Sequence, residues 1–297
     1  MPRVALATCE QFPDLDAEDR LLVPALAALG IVAVPAVWTD PTIDWAAFDA
    51  VVVRETWDYS TRRDEFVEWT TRVDAVSCLL NPPAVIAWNT DKHYLRELAD
   101  AGIPVVPTSF VEPGDDVTGW LPPEGSAEFV VKPAVSCGSA DTLRYSASGG
   151  PVEARAHVKR LIDDARSVMV QPYLDAVDTA GETALLFFDG EFSHAIRKGP
   201  LLALGVEGDK VEGLFVQEQI DPRVPSDLEL AVGRSVIEHI PGGVGATLYA
   251  RVDLIPAADG TPRLLELELA EPSLFLSHSH GAADHLAAAI ARRLQPV

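Results

Sequence analysis

Residues 249–269 alternate twice in succession, with charge on the face where a buried strand would carry only apolar side chains. In Tyr249-Ala250-Arg251-Val252-Asp253-Leu254, Ala250, Val252 and Leu254 share one face while Arg251 and Asp253 share the other. In Leu265-Glu266-Leu267-Glu268-Leu269 the leucines take one face and the glutamates the opposite one, and Asp259-Gly260 between the arms is turn chemistry. The pattern predicts a β-hairpin that gathers Asp253, Glu266, Glu268 and Arg251 on one surface. Carboxylates crowded this way raise one another's pKa unless a cation sits among them, and a hard divalent ion such as Mg²⁺ accepts carboxylate oxygens. A hairpin with one solvated face alternates in the same way. The rest of the chain has to decide between the two.

At 297 residues the chain can bury a large core and build two or three lobes around one cleft. Its net charge of -22 argues against nucleic acid or an anionic membrane as partner, since both require a basic surface. With only 23 Lys and Arg, each cation in an apolar or small-residue setting is informative. Met1-Pro2-Arg3-Val4-Ala5-Leu6-Ala7 runs into a strand without the length or cleavage pattern of a secretory signal, and no apolar run approaches a membrane span. Cys9, Cys78 and Cys137 are odd in number, far apart and without metal-ligand spacing. A reduced, cytoplasmic setting is expected, and zinc held by cysteine is not.

The first part of the chain alternates strand and helix, with strands expected over 4–8, 31–37 and 50–54 and helices over 18–29 and 63–73. Such alternation implies a small parallel sheet covered by helices, with residues 8–11 and 54–59 as candidate loops beyond the strand ends. Thr90 is the expected N-cap of a helix ending at Gly102, which places Lys92 in its first turn against the helix dipole. The strand Glu128-Phe129-Val130-Val131-Lys132-Pro133 opens into Ala134-Val135-Ser136-Cys137-Gly138-Ser139, small residues whose N–H groups can approach phosphate oxygens. A helix over 152–164, strands over 167–171, 183–188 and 191–197, and a closing helix over 282–294 follow.

In order, the chain shows Asn89-Thr90-Asp91-Lys92, Val130-Val131-Lys132-Pro133 with its small-residue loop, Val170-Gln171-Pro172-Tyr173, Gly181-Glu182, Arg251-Val252-Asp253 and Glu266-Leu267-Glu268. This resembles the ATP-grasp superfamily, in its glutathione-synthetase-like and ribosomal-protein-glutamate-ligase-like branch, over nearly the whole chain. Arg54-Glu55-Thr56-Trp57-Asp58-Tyr59 and Glu271-Pro272-Ser273-Leu274-Phe275-Leu276 are similar to the subgroup of cycloserine-forming ligases. The resemblance implies an α/β protein of α+β lobes with the ATP-grasp fold: an N-terminal parallel α/β domain over 1–85, a small central lid domain over 86–175 and a C-terminal antiparallel-sheet domain over 176–297.

It further implies that Lys92 and Lys132 hold the α- and β-phosphates of ATP, and that Ser136, Cys137, Gly138 and Ser139 fold over the β- and γ-phosphates. Gln171, Tyr173 and Leu174 would read the adenine edge, and Glu182 the ribose. Asp253, Glu266 and Glu268 would hold one or two Mg²⁺ ions, with Mn²⁺ a possible substitute. Arg251 would neutralise the transferring phosphoryl group, with Lys132 and Arg197 as further catalytic cations. Three residues depart from the family pattern. Glu268 stands where many relatives carry asparagine, Pro172 lacks an N–H for adenine, and the phosphate loop has a single glycine, Gly138.

The implied reaction phosphorylates a substrate carboxylate and lets a nitrogen attack the acyl phosphate, releasing ADP. Within the subgroup, O-ureido-D-serine closes to D-cycloserine with loss of ammonia and carbon dioxide. The substrate is a small amino acid, and Arg197, Lys198, Arg54 and Ser273 are the residues expected to meet it. Strand alternation puts Arg197 and Lys198 on opposite faces, and Arg197 is preferred for its two-pronged grip on a carboxylate. The rivals are an intermolecular carboxylate-amine ligase, a metal hydrolase built on Ser277-His278-Ser279-His280 and His285, a Cys137 nucleophile, and a nucleotide-binding protein without catalysis. Oligomeric state stays open.

Overall fold

The computed structural model describes residues 1–205, 210–211, 215–216 and 219–295. Strand β1 (Arg3–Thr8), helix α1 (Leu22–Ala28), β2 (Val32–Val37), β3 (Ala50–Glu55), α2 (Arg63–Asp74) and β4 (Leu79–Leu80) build a sheet in the order β2-β1-β3-β4, parallel throughout. The run Ala50-Val51-Val52-Val53 is buried on both faces, which a helix-covered parallel sheet demands of its inner strands.

A second sheet follows α3 (Pro83–Asn89) and α4 (Tyr94–Asp100). Strands β5 (Ser109–Val111), β6 (Glu128–Pro133), β7 (Leu143–Ser146) and β8 (Val168–Pro172) lie antiparallel in the order β5-β8-β6-β7, with α5 (Pro151–Asp163) between β7 and β8 in sequence. Ala154, Val158, Leu161 and Ile162 of α5 recur at helical spacing and pack with Phe129 and Val131 of β6.

The third sheet is reached through α6 (Val177–Ala180). It holds β9 (Glu182–Phe188) and β10 (Glu191–Lys198); then come a two-stranded ribbon of β11 (Lys210–Val211) and β12 (Phe215–Val216), β13 (Ile220–Arg223), α7 (Asp227–Glu238), β14 (Tyr249–Pro256), β15 (Pro262–Glu268) and α8 (Ala282–Arg293). Its order is β13-β10-β9-β14-β15, antiparallel throughout. The hairpin forms as the alternation predicts, with Arg251 opposite Glu268 and Asp253 opposite Glu266. Val232, Val236 and Ile237 of α7 cluster with Val252, Leu254, Leu264 and Leu267. Covering that apolar face turns the charged face to the other side of the sheet. Helix α8 returns to pack on α1, tying the third sheet to the first.

One local expectation is corrected. Thr90 is not an N-cap: its N–H donates to Ile86 O and closes α3, and α4 begins only at Tyr94. Asn89 explains the break, because its side chain donates to Leu267 O at 2.7 Å and accepts from Leu269 N at 2.7 Å. Lys92 therefore stands in the turn before α4, its own N–H donating to Ala134 O, and the dipole argument falls away. Among the described residues, no helix is long and apolar enough to cross a membrane.

Candidate active site

A cavity of about 540 Å³ opens where the three sheets meet. Every residue that the resemblance assigns to nucleotide, metal, substrate or catalysis lines it except Arg197 and Arg54. The charges inside pair off. Lys92 Nζ lies 3.1 Å and Lys132 Nζ 3.8 Å from the Glu266 carboxylate. Lys198 Nζ lies 2.8 Å from Asp253 and 2.9 Å from Glu182, while Arg251 Nε is 2.9 Å from Asp253 Oδ1 and its Nη2 pairs with Glu268.

The titration of these groups follows from burial against partner charge. Burial alone would raise Glu266, but Lys92 and Lys132 outweigh it and hold the carboxyl below its usual range. Asp253 is likewise lowered, Arg251 and Lys198 overcoming desolvation. Burial pushes Glu268 up to about 8, and the neighbouring Glu266 and Asp253 work against the relief that Arg251 gives. Lys132 is lowered by desolvation and by the nearby Lys92 and Lys198, whereas for Lys92 the contact with Glu266 outweighs burial and raises it.

Around this core the loop after β6 is tied down. Lys92 Nζ donates to Ser136 O at 2.8 Å, and Gly138 and Ser139 both take left-handed backbone angles, φ +60° and +59°. At the other rim, Gln171 Nε2 donates to Thr108 Oγ1, and Tyr173 N–H already donates to Glu128 O. Gly181, at φ +73°, lets the chain turn into Glu182 beneath Lys198.

The structure reverses the choice between Arg197 and Lys198. Lys198 faces the cavity, whereas Arg197 Nε donates to Ala180 O at 2.8 Å outside it. Alternation separates the two but cannot say which face the neighbouring lobe covers. Arg54 is also not a cavity residue. It is 1 % exposed, 2.9 Å from Asp19, and its Nη2 donates to Pro272 O, so it braces the segment that carries Ser273. Of the loops beyond the parallel strands, 54–59 contributes Trp57 and Tyr59, and 8–11 contributes nothing to the lining.

Glu271 was not singled out, although it lines the cavity at 7 % exposure. It lies past the end of β15, where no alternation marks it. The histidines do not assemble: His278 lines the cavity, while His285 packs edge-on against Phe188 at 5.3 Å. Among the described residues, the one group of three acidic, His or Cys ligand atoms within 4.8 Å of one another is Asp16, Asp19 and Glu55.

The donor types in the cavity suit a hard cation such as Mg²⁺. Asp253, Glu266 and Glu268 all line the cavity and offer oxygen donors of the kind a hard cation takes, but their ligand atoms do not all lie within 4.8 Å of one another in this structure.

Comparison with known proteins agrees with this geometry. Residues 4–81 match the family model of the D-cycloserine synthetase DcsG N-terminal domain. The cycloserine biosynthesis protein DcsG of Streptomyces lavendulae is 39 % identical over 304 residues, covering 99 % of each chain. A crystal structure of D-cycloserine synthetase DcsG superposes with a TM-score of 0.87 at 36 % identity, over 99 % of this chain and 100 % of that one. The D-alanine–D-alanine ligase of Bacillus anthracis complexed with ATP shares the fold at a TM-score of 0.67 and 15 % identity, over 99 % of this chain and 97 % of that one. Three sheets closed on a cavity of paired cations and carboxylates are the frame of an ATP-grasp ligase, an enzyme that forms carbon–nitrogen bonds. Within that class, the chain belongs to the D-cycloserine synthetase family.

Proposed function

We propose that the protein is an ADP-forming ligase that closes O-ureido-D-serine to D-cycloserine, with ammonia and carbon dioxide released. The observation that carries this reading is the convergence of Lys92, Lys132, Lys198 and Arg251 with Asp253, Glu266 and Glu268 on one cavity. The 39 % identity to a cycloserine biosynthesis protein over 99 % of the chain supports the choice of substrate.

In this reading the units 1–85, 86–175 and 176–297 close on the nucleotide from three sides. Leu174 gives its N–H to adenine, because Pro172 has none and Tyr173 spends its own on Glu128. Glu182 takes the ribose hydroxyls. Lys92 and Lys132 exchange part of their contact with Glu266 for phosphate oxygens, and Ser136, Cys137, Gly138 and Ser139 wrap the terminal phosphates. Asp253, Glu266 and Glu268 would hold one or two Mg²⁺, or Mn²⁺, which would supply positive charge to neutralise the phosphates. Arg251 and Lys198 then steady the charge that builds as the γ-phosphoryl group passes to the substrate carboxylate, while Ser273 borders the acceptor end. The protein's share is alignment and electrostatics.

The test is to supply ATP, Mg²⁺ and O-ureido-D-serine and identify the product by mass spectrometry. D-cycloserine with one ADP per ring supports the reading. No ADP from this compound, where a pair of free amino acids releases it, would replace it with an intermolecular ligase.

A further inference from the structure

Glu271 stands apart from the other carboxylates of the cavity. Asp253, Glu266 and Glu268 each meet a lysine or arginine. Burial raises the Glu271 carboxyl, and the charge of Lys92, the Tyr59 hydroxyl and the Cys137 thiol each offset part of that rise. These neighbours come from different parts of the chain: Tyr59 from the turn after β3, Cys137 from the loop after β6. Glu271 thus sits where the first sheet, the phosphate loop and the hairpin converge, on the cavity wall.

Its backbone is held with unusual completeness. Four successive carbonyls accept bonds from four separate side chains: Glu271 O from Trp57 Nε1 at 3.0 Å, Pro272 O from Arg54 Nη2 at 2.8 Å, Ser273 O from Arg251 Nη1 at 3.2 Å, and Leu274 O from His194 Nε2 at 3.1 Å. A segment fixed at every peptide keeps the carboxyl at one place on the wall, which is what a group acting on a reacting atom requires. Removal from water pushes this carboxyl up to about 7, so it can take up and give back a proton near neutrality.

We propose that Glu271 is the base for ring closure: it receives the proton of the attacking nitrogen after the substrate carboxylate has been phosphorylated. The nitrogen lone pair forms the new C–N bond to the acyl carbon, and the C–O bond to phosphate breaks with its electron pair leaving on inorganic phosphate. The N–H proton moves to a Glu271 carboxylate oxygen and from there to water. Tyr59 is the positioning residue, its hydroxyl aiming the carboxylate. The inference rests on the ligase reading above.

The two half-reactions can be read separately with O-ureido-D-serine, ATP, Mg²⁺ and hydroxylamine, which traps an acyl phosphate as its hydroxamate. In Glu271→Gln the ring-closed product falls about 10²-fold or more, at the scale of a positioned general base. Hydroxamate continues to form, and its share of the ADP released rises. Tyr59→Phe shows the same redistribution more weakly, and it carries the comparison if thermal melting shows Glu271→Gln unfolded. Lys92→Ala, as a control on the first step, loses hydroxamate and product together. If hydroxamate and product fall in parallel in a folded Glu271→Gln, or if neither changes, Glu271 is not the base. Failure of the ligase reading itself looks different, because the unaltered protein then gives no hydroxamate at all.

Discussion

Lys92 Nζ lies 3.1 Å from Glu266 Oε1, joining the turn before α4 to the outer strand of the third sheet across 174 positions of sequence. The lysine side chain is 6 % exposed and the glutamate 24 %, so each depends on the other for its charge. Losing one partner of such a pair leaves an uncompensated charge out of water.

Lys92→Ala is therefore expected to cost up to about 3 kcal/mol of folding stability, the lower end for a buried pair because Lys132 still faces Glu266. The double variant Lys92→Ala/Glu266→Gln should recover part of that loss. Urea unfolding of all four members of the cycle measures the coupling. Strict additivity would mean that the contact carries no stability.

Glu266→Gln keeps the shape of the hairpin but removes a carboxylate from the face expected to hold Mg²⁺. Nucleotide-dependent turnover should drop at least about 10²-fold, and chelation of Mg²⁺ should stop the unaltered enzyme reversibly. ATP with Mg²⁺ at about 100 times its Kd should stabilise the unaltered protein by about 2.7 kcal/mol. The variant should show a much smaller thermal shift. An equal shift in both would remove Glu266 from the metal site.

His93 supplies a pH dependence. Its ring nitrogens lie 2.5 Å from Asp91 and 2.9 Å from Glu112, Arg96 of α4 acts on Glu112, and the ring stacks on Phe110. Burial would lower its pKa, but the two carboxylates outweigh it and raise it. A raised folded-state pKa gives stability that is complete below the unfolded value of about 6.5 and is lost as pH rises through the folded value. The stability difference between the unaltered protein and His93→Gln should be largest below about pH 6 and shrink with rising pH. A difference that grows with pH would contradict the assignment.

Gly181→Ala tests how the ribose end is built. A Cβ there would lie 2.4 Å from Lys198 O, at a φ of +73° that side chains rarely adopt. Relief requires β9 and β10 to part, which displaces Glu182 and Lys198 together. We expect a loss of about 2 kcal/mol or more in urea unfolding and a higher KM for ATP. An unchanged KM would show that neither residue reports on nucleotide binding.

Several site elements were legible because they ride on periodic structure. The hairpin charges, the lysine ending β6 and the small-residue loop after it are all fixed by strand alternation and turn chemistry. Glu271 and the bracing role of Arg54 were not legible. Their meaning lies in contacts such as Arg54 with Pro272 O, 218 residues apart, which no local pattern encodes. Thr90 misled for a related reason: its capping preference is real, but Asn89 is anchored to a strand nearly two hundred residues away and ends α3 at that point.

By itself the sequence determined which residues share a strand face, where the turns fall and which kinds of charge the chain possesses, since these follow from backbone geometry and side-chain size over a few residues. Tertiary structure alone decided that the charged face of the hairpin meets a cavity, that Lys198 and not Arg197 enters it, and that burial there shifts the carboxyls of Glu268 and Glu271 upward. The reason is that burial and partner distance set the free energy of a charge, and both are properties of the packed molecule rather than of any segment.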